Sequence, residues 1–194
     1  MTYDPDRHHR RSIRLRDYDY TQAGAYFITI CTYQGECLFG SIDAGVLTLN
    51  DWGRLAETEW LRTPTLRPQV ELDEFEAMPN HLHIIVVIVE TPAPGLDGRM
   101  PSGRMESGGR MQYAPTWRSP AQTVGAIVRG YKAAVTKQIN DLRRTRDTPV
   151  WQRNYYEHVI RNEGELNRAR QYILDNPARW EMDGYGQARE PHRA

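Results

Sequence analysis

The feature that most constrains the fold is a segment of nine residues without a charge, running from His81 to Val89. It begins with the tripeptide His-Leu-His and ends in six consecutive aliphatic residues. A short apolar run between polar residues predicts a buried β-strand. Because a transmembrane helix needs about 20 apolar residues, the sequence predicts no membrane span and no membrane partner.

Segments on both sides of this strand predict a mixture of strands and helices. Extended segments are expected at 25–33, at a hairpin over 39–49 with Gly40 and Gly45 as turn residues, and around 70–75. Apolar residues at helical spacing and capping residues predict helices over about 51–62, 120–142 and 163–176. Without long alternating β-α-β units, the order favours an α+β structure, an antiparallel sheet with helices packed on it.

Local signals also predict three finer features of these elements. Ser119 and Pro120 are expected to start the second helix, as cap and first helical residue. Pro177 is expected to stop the last helix after Asn176. Residues 151–160 are expected to form a short helix or an irregular segment.

The length of 194 residues fits one domain with extensions. We expect a basic flexible arm at 1–20, a single domain over 21–180 interrupted by a flexible linker at about 91–118, and a polar tail at 181–194. The linker contains the tripeptide Gly-Arg-Met three times and few residues able to pack. Two cysteines cannot form a disulfide framework or a four-cysteine zinc site, which favours a reducing cytoplasm.

Charges are segregated although the formal net charge is zero. Residues 7–16 contain five arginines and no acidic residue, and residues 118–146 contain seven basic residues against one aspartate. Residues 43–76 hold eight acidic residues against three arginines. The basic blocks indicate either a local anionic partner, first of all a nucleic acid, or solvated helix faces and a mobile arm.

His81 and His83 are separated by one residue at the head of the apolar strand. Side chains alternate across a strand, so both imidazoles leave the same face, while Leu82 points into the core. Two ring nitrogens on one face can converge on a metal ion. The tripeptide by itself is equally compatible with two histidines that hydrogen-bond beside the sheet.

Tyr172 and Asn176 lie four residues apart on the last predicted helix and therefore share a face. Leu166, Ala169 and Ile173 form the adjoining apolar stripe, which places Tyr172 at the edge of a buried seam. A phenol there can reach a site on the sheet. Position alone favours a packing role for this tyrosine.

Several segments resemble one enzyme family. Residues 78–85 (MPNHLHII) resemble the His-hydrophobic-His motif of the single-tyrosine HUH transposases. Residues 26–29 (YFIT), 151–162 (WQRNYYEHVIRN) and 172–177 (YILDNP) resemble the branch of REP-associated tyrosine transposases. The resemblance covers roughly residues 15–180 apart from the linker, and its strength lies in the joint order and spacing of the motifs.

The resemblance implies a ferredoxin-like sheet with His81 and His83 on a central strand. It implies that the two histidines hold Mg²⁺ or Mn²⁺, with Asn176 at the position of a polar third ligand, and that Tyr172 is the nucleophile. The implied reaction is nicking and rejoining of single-stranded DNA at hairpin-forming repeats through a 5′-phosphotyrosine. It also implies a bacterial, nucleoid-associated cytoplasmic protein. Some relatives are dimers, so a homodimer and action of Tyr172 in cis or in trans both stay open.

Tyr131 is an alternative nucleophile and His158 an alternative third metal ligand, but the sequence favours a structural role for each. Tyr131 lies among apolar neighbours at helical spacing and is expected in the core. His158 stands beside Glu157 and Arg161, which predicts a polar helix face. The candidate DNA contacts are the basic residues Arg129, Lys132, Lys137 and Arg168. Arg168 lies one turn before Tyr172, where it either favours the phenolate or is an ordinary solvent-facing residue, the interpretation that position favours.

Two other functions compete with the transposase hypothesis. One is a module of the same fold that binds hairpin DNA or RNA without cutting it. The other is a zinc hydrolase that uses the His-x-His pair, although barrel hydrolases need about 250 residues.

Overall fold

The structure, a computed structural model, describes residues 23–89 and 123–180. The predicted arm at 1–20, the linker at 91–118, the helix start at Ser119-Pro120 and the tail at 181–194 lie outside the described residues, so the predicted domain division stays a prediction.

Six strands and four helices form the described part of the chain. The strands are β1 (Gly24–Cys31), β2 (Gly40–Asp43), β3 (Val46–Leu49), β4 (Val70–Met78), β5 (His81–Ile88) and β6 (Tyr156–Ile160). The helices are α1 (Asp51–Leu61), α2 (Thr63–Leu66), α3 (Val124–Arg143) and α4 (Glu163–Arg179), with a single 3-10 turn at Tyr33–Gly35.

Four of the strands form one antiparallel sheet in the order β4-β5-β1-β6. The first and third sheet strands in the chain thus lie in the centre, which is the arrangement of a ferredoxin-like sheet. β1 and β5 pair along their whole length, from Gly24 opposite Ile88 to Cys31 opposite His81. The predicted α+β class and the central position of the His-x-His strand are confirmed.

The two faces of this sheet carry different layers. One face packs on α1 and α3 and contains most of the core, with Ile28, Leu82 and Ile84 among its fully buried side chains. The opposite face packs on α4 through a smaller cluster of Ile85, Ile160 and Ile173. Because side chains alternate along β5, His81 and His83 lie on the α4 face.

Side-chain caps mark the starts of three helices. The Asn50 side chain accepts hydrogen bonds from the backbone of Trp52 and Gly53 at the start of α1. Asn162 Oδ1 accepts from the Glu165 amide at 2.9 Å at the start of α4. Thr123 accepts from the Ala126 amide, so α3 begins at Val124. These bonds satisfy amide groups that lack a partner within the helix.

Residues 156–160 form a strand, so the prediction of a short helix or irregular segment over 151–160 was wrong there. β6 pairs with β1, from Thr29 opposite Tyr156 to Ala25 opposite Ile160. A segment of five residues is too short for periodicity to separate strand from helix. The free edge of β1 supplies the hydrogen bonds that decide the matter.

α4 continues through Pro177 to Arg179, so the prediction that Pro177 ends the helix was also wrong. Proline removes one backbone hydrogen bond within a helix. Here it lies in the last turn, where that loss is small, and the buried Trp180 packs against His81 just beyond. Burial of the indole therefore extends the helix past its sequence signal.

The β2-β3 hairpin turns at Ala44 and Gly45, which both have positive φ angles. Gly45 is a turn residue as predicted. Gly40 instead lies inside β2, where an added Cβ atom would come within 2.3 Å of the Thr48 carbonyl oxygen. Close backbone approach, rather than a turn, requires glycine at that position.

Among residues 23–89 and 123–180, no helix combines the length and apolar character needed to cross a bilayer.

Candidate metal and nucleophile site

The imidazoles of His81 and His83 form the centre of the site. Both side chains are about 4% exposed, and their Nε2 atoms lie 3.0 Å apart. β5 places them on one face at alternating positions, as the sequence predicted. Burial lowers the pKa of His81 to about 4, and burial together with His81 lowers the pKa of His83 to about 3. At neutral pH both rings are therefore uncharged, and each can offer a nitrogen lone pair to a metal ion.

The other ring nitrogen of each histidine has its own polar partner. His81 Nδ1 lies 2.7 Å from Oδ1 of the neighbouring Asn80. His83 Nδ1 lies 3.0 Å from Oγ1 of Thr29, its cross-strand partner on β1. Sequence reasoning missed both residues. Alternation along β1 shows only that Thr29 shares a face with Phe27 and Cys31. Its position opposite His83 depends on the pairing of β1 with β5, which the sequence does not give.

α4 brings Tyr172 and Asn176 to the same histidines. The centroid of the Tyr172 ring lies 5.1 Å from that of the His83 ring and 5.9 Å from that of the Phe27 ring, and both contacts are edge to face. Asn176 is 4% exposed, and its Nδ2 lies 3.3 Å from His83 Nε2. One chain thus assembles the four residues that the resemblance singled out, with Tyr172 beside the histidines of its own chain.

Two anchors position α4 on the sheet. Ile173, between Tyr172 and Asn176 in the chain, is fully buried against Ile85 and Ile160. The Arg170 guanidinium donates to both carboxylate oxygens of Asp73 on β4, at 2.8 and 2.5 Å. Hydrogen bonding from Arg170 lowers the pKa of Asp73. The bidentate pair fixes the helix above β4 and β5.

A cavity of about 760 Å³ opens beside these residues. Arg168 and Glu165 of α4, with Tyr156 and His158 of β6, form its outer wall. The remaining lining residues are Phe27, Thr29, Cys31, His81, His83, Ile160, Ala169, Tyr172 and Asn176. The cavity therefore combines a phenol, buried imidazoles and a guanidinium in one space open to solvent.

Of the four predicted DNA contacts, only Arg168 lines this cavity. Arg129, Lys132 and Lys137 belong to α3, which packs on the other face of the sheet. Lys132 donates to the carbonyl oxygens of residues 152–154, and Lys137 pairs with Asp141 at 2.9 Å. Their role as DNA contacts stays a prediction.

The two rival site residues have different outcomes. Tyr131 is buried, and its hydroxyl donates to the Ala56 carbonyl oxygen at 2.9 Å, which confirms the core interpretation. His158 lies on β6 and lines the cavity, 3.8 Å from Glu165, so the prediction of a polar helix face was wrong. Within the described ranges, no third His, Cys, Asp or Glu joins His81 and His83 as a metal-binding group.

The residues present fit a small divalent ion. Two neighbouring ligands of an octahedral ion, each about 2.1 Å from it, lie about 3.0 Å apart, which matches the separation of the two Nε2 atoms. The amide of Asn176 supplies the third donor when its oxygen takes the place of the nitrogen near His83 Nε2. His81, His83 and Asn176 are thus the residues that would hold the ion.

Comparison with known proteins gave a relative and a fold. No protein-family model matches the chain. An uncharacterized protein of Haemophilus influenzae is 43% identical over 181 residues, which cover 93% of this chain and 95% of that protein. The high identity over nearly both full lengths establishes common family membership.

Solved structures supply the architecture. The structure of a REP-associated tyrosine transposase bound to a REP hairpin aligns with a TM-score of 0.56 and 18% identity, over 86% of this chain and 73% of that chain. A Deinococcus radiodurans structure aligns over 84% of this chain and 95% of its own at 14% identity, with a TM-score of 0.41 that is too low to support an argument. The chain therefore belongs to one family with the Haemophilus influenzae protein, and it has the fold of a REP-associated tyrosine transposase.

Proposed function

We propose that the protein nicks and rejoins single-stranded DNA at hairpin-forming repeats, with Tyr172 as nucleophile and Mg²⁺ or Mn²⁺ held by His81, His83 and Asn176. The observation that carries the proposal is the convergence of a tyrosine, two buried imidazoles and an amide on one open cavity. The solved neighbour with this fold is a transposase bound to a REP hairpin, which supports the substrate class.

The reaction follows from the properties of these groups. The phenol oxygen of Tyr172 attacks the scissile phosphorus, forming a phosphorus–oxygen bond while the bond to the 3′-oxygen breaks. The phenol gives up a proton and the leaving 3′-oxygen gains one, so the step is balanced. The product is a 5′-phosphotyrosine with a free 3′-hydroxyl, and attack by another 3′-hydroxyl rejoins the strand without ATP.

The surroundings of Tyr172 assist this attack. A bound divalent ion would offset the negative charge of the scissile phosphate. Edge-to-face contact of the Tyr172 ring with Phe27 and His83 restricts its orientation, which reduces the entropy lost on reaching the phosphate. Arg168, in the wall of the cavity, places a positive charge beside the space that the DNA phosphate would occupy.

The test is covalent capture of DNA. Incubation of the full-length protein with hairpin oligonucleotides carrying single-stranded flanks and Mn²⁺ is expected to give a protein–DNA adduct on a denaturing gel. Tyr172→Phe keeps the ring packing and removes the nucleophile, so the adduct should disappear. Tyr33→Phe is the matched control, because Tyr33 is 39% exposed and Tyr172 38%, and it should form the adduct normally.

Three results would contradict the proposal. An adduct that persists in Tyr172→Phe would assign the nucleophile elsewhere. Hairpin binding without any cleavage in Mn²⁺ would instead indicate a binding module of the same fold. Tightly bound zinc in the purified protein would favour the hydrolase alternative.

A further inference from the structure

We propose that Thr29 and Asn80 are positioning residues that hold His83 and His81 in the tautomer with the proton on Nδ1. In this state both Nε2 lone pairs face the place of the metal ion. The inference deepens the proposed function, since the ion concerned is the one proposed there. Its first readout concerns the histidine rings alone and needs neither metal nor DNA.

The tautomer of His81 follows from Asn80. Oδ1 of Asn80 lies 2.7 Å from His81 Nδ1, in a buried position. An amide oxygen only accepts hydrogen bonds, so His81 Nδ1 carries the proton and donates it. A neutral imidazole has one N–H, and His81 Nε2 therefore presents a lone pair.

The tautomer of His83 follows from two partners. The Asn176 amide nitrogen, a donor, lies 3.3 Å from His83 Nε2, which requires a lone pair on that atom. The proton then resides on Nδ1, which donates to the Thr29 hydroxyl oxygen at 3.0 Å. The pairing of Thr29 with His83 in the β1-β5 register keeps the two side chains adjacent.

The consequence is that the two histidine donors are arranged before any ion binds, whereas the Asn176 amide still has to turn its oxygen toward the ion. With both protons on Nδ1, the two Nε2 atoms lie 3.0 Å apart with no hydrogen between them, and a cation bound by both would relieve the repulsion of their lone pairs. Without Thr29 and Asn80, one ring could carry its proton on Nε2 and donate it to the other. That hydrogen bond would occupy both metal donors. Residues that accept the hydrogen bond from the far nitrogen of a ligand histidine typically contribute about 10- to 100-fold to metal affinity.

The experiment compares the wild-type protein with Thr29→Val and Thr29→Ser. Long-range proton–nitrogen NMR of the full-length protein without metal is expected to show Nδ1–H on both histidines. In Thr29→Val, His83 should move toward the Nε2–H form while His81 stays unchanged. Mn²⁺ affinity, followed by electron paramagnetic resonance, should fall about 10- to 100-fold and return in Thr29→Ser.

Matched variants separate positioning from folding. Thr136→Val makes the same change on α3, across the sheet from the histidines, and should leave tautomers and Mn²⁺ affinity unchanged. If Thr29→Val folds poorly, Asn80 provides the second test: Asn80→Leu removes the acceptor of His81 Nδ1 and should move His81 toward the Nε2–H form, whereas Asn80→Asp retains an acceptor and should keep the wild-type tautomer.

Two outcomes overturn the inference: wild-type His83 in the Nε2–H form, or wild-type Mn²⁺ affinity in Thr29→Val. A wild-type protein that binds no Mn²⁺ would overturn it together with the metal assignment. Failure of the proposed function gives a different pattern, in which tautomers and Mn²⁺ affinity respond as described while no DNA adduct forms.

Discussion

The three candidate ligands are all uncharged at neutral pH. Burial keeps His81 and His83 neutral, and Asn176 is an amide. A divalent ion therefore meets lone pairs but no negative charge in its protein ligands. Ligand charge is one of the main determinants of affinity for hard cations, so under the proposed function this donor set would leave charge compensation to the phosphate of the DNA.

Replacing the amide by a carboxylate tests this balance. Asn176→Asp is expected to raise Mn²⁺ affinity on the order of tenfold, since it adds a negative oxygen at nearly the same length, and Asn176→Leu should lower it. The measurement is Mn²⁺ titration by electron paramagnetic resonance. Asn167→Asp adds the same charge on the exposed side of α4 as a control. An equal gain in both aspartate variants would show a general electrostatic effect and remove Asn176 from the ligand set.

At the scale of elements, α4 determines the geometry of the site. It supplies Tyr172 and Asn176, and its position rests on the buried Ile173 and on the Arg170–Asp73 pair. The pair joins α4 to β4, the strand next to the one that carries the histidines. A small shift of this helix would move the phenol relative to the imidazoles.

Asp73→Asn is expected to slow adduct formation about 10- to 100-fold, because misplacement of a reacting group by about 1 Å has effects of that size. Asp175→Asn removes the Asp175–Arg179 pair within α4 and should have little effect. Equal rates in wild type and Asp73→Asn, measured by single-turnover capture, would contradict the anchoring role.

The pH dependence of this anchor follows from the lowered pKa of Asp73, caused first by the hydrogen bond from Arg170. A depressed carboxylate pKa gives stability that is complete above the ordinary value of about 3.9 and lost as the pH falls through the lowered value. The difference in melting temperature between wild type and Asp73→Asn should therefore be constant from about pH 5 to 8 and shrink only in more acidic solution. A difference that changes near neutral pH would point to another group.

The basic residues of α3 and α4 lie on opposite faces of the sheet, and only Arg168 borders the cavity. Arg168→Gln is expected to weaken hairpin binding and to reduce the salt dependence by about one phosphate contact. Lys137→Gln is the control, because it removes one positive charge from α3, where Lys137 pairs with Asp141. Salt-dependent binding titrations that rank the two variants in the reverse order would place the DNA on the α3 face.

At the scale of the whole molecule, one face of the sheet packs on the larger hydrophobic core and the other face holds the candidate site. The larger core lies between the sheet and helices α1 and α3, whereas the α4 side holds the smaller cluster of Ile85, Ile160 and Ile173, with the buried Trp180 packed on His81. The polar histidines thus lie on the face with less apolar packing, where a cavity can open without dividing the main core.

Leu82, between the two histidines, tests this division because it points into the larger core. Leu82→Ala is expected to lower the free energy of unfolding by about 2–5 kcal/mol, as measured by denaturant titration. Leu61→Ala, at a side chain 62% exposed, should change it by less than about 0.5 kcal/mol. Similar effects of the two substitutions would refute the assignment of Leu82 to the core.

Local sequence signals determined much of this protein. The apolar run after His81 predicts β5, the alternation of a strand puts both imidazoles on one face, and Asn162 with Glu165 marks the start of α4. The spacing of Tyr172 and Asn176 gives their shared face. These features depend on residues within one or two turns of each other, so periodicity and capping suffice to predict them.

Only the tertiary structure decided which of these faces meet. The contacts of His83 with Thr29 and Asn176 join residues 54 and 93 positions apart, and Asp73 reaches Arg170 across 97 positions. Residues 156–160 form a strand because they pair with the edge of β1. The apolar stripe of α3 packs on the face of the sheet opposite the candidate site, and the basic residues of α3 therefore lie on that side of the molecule. Such outcomes depend on strand order and layer packing, which local periodicity does not contain.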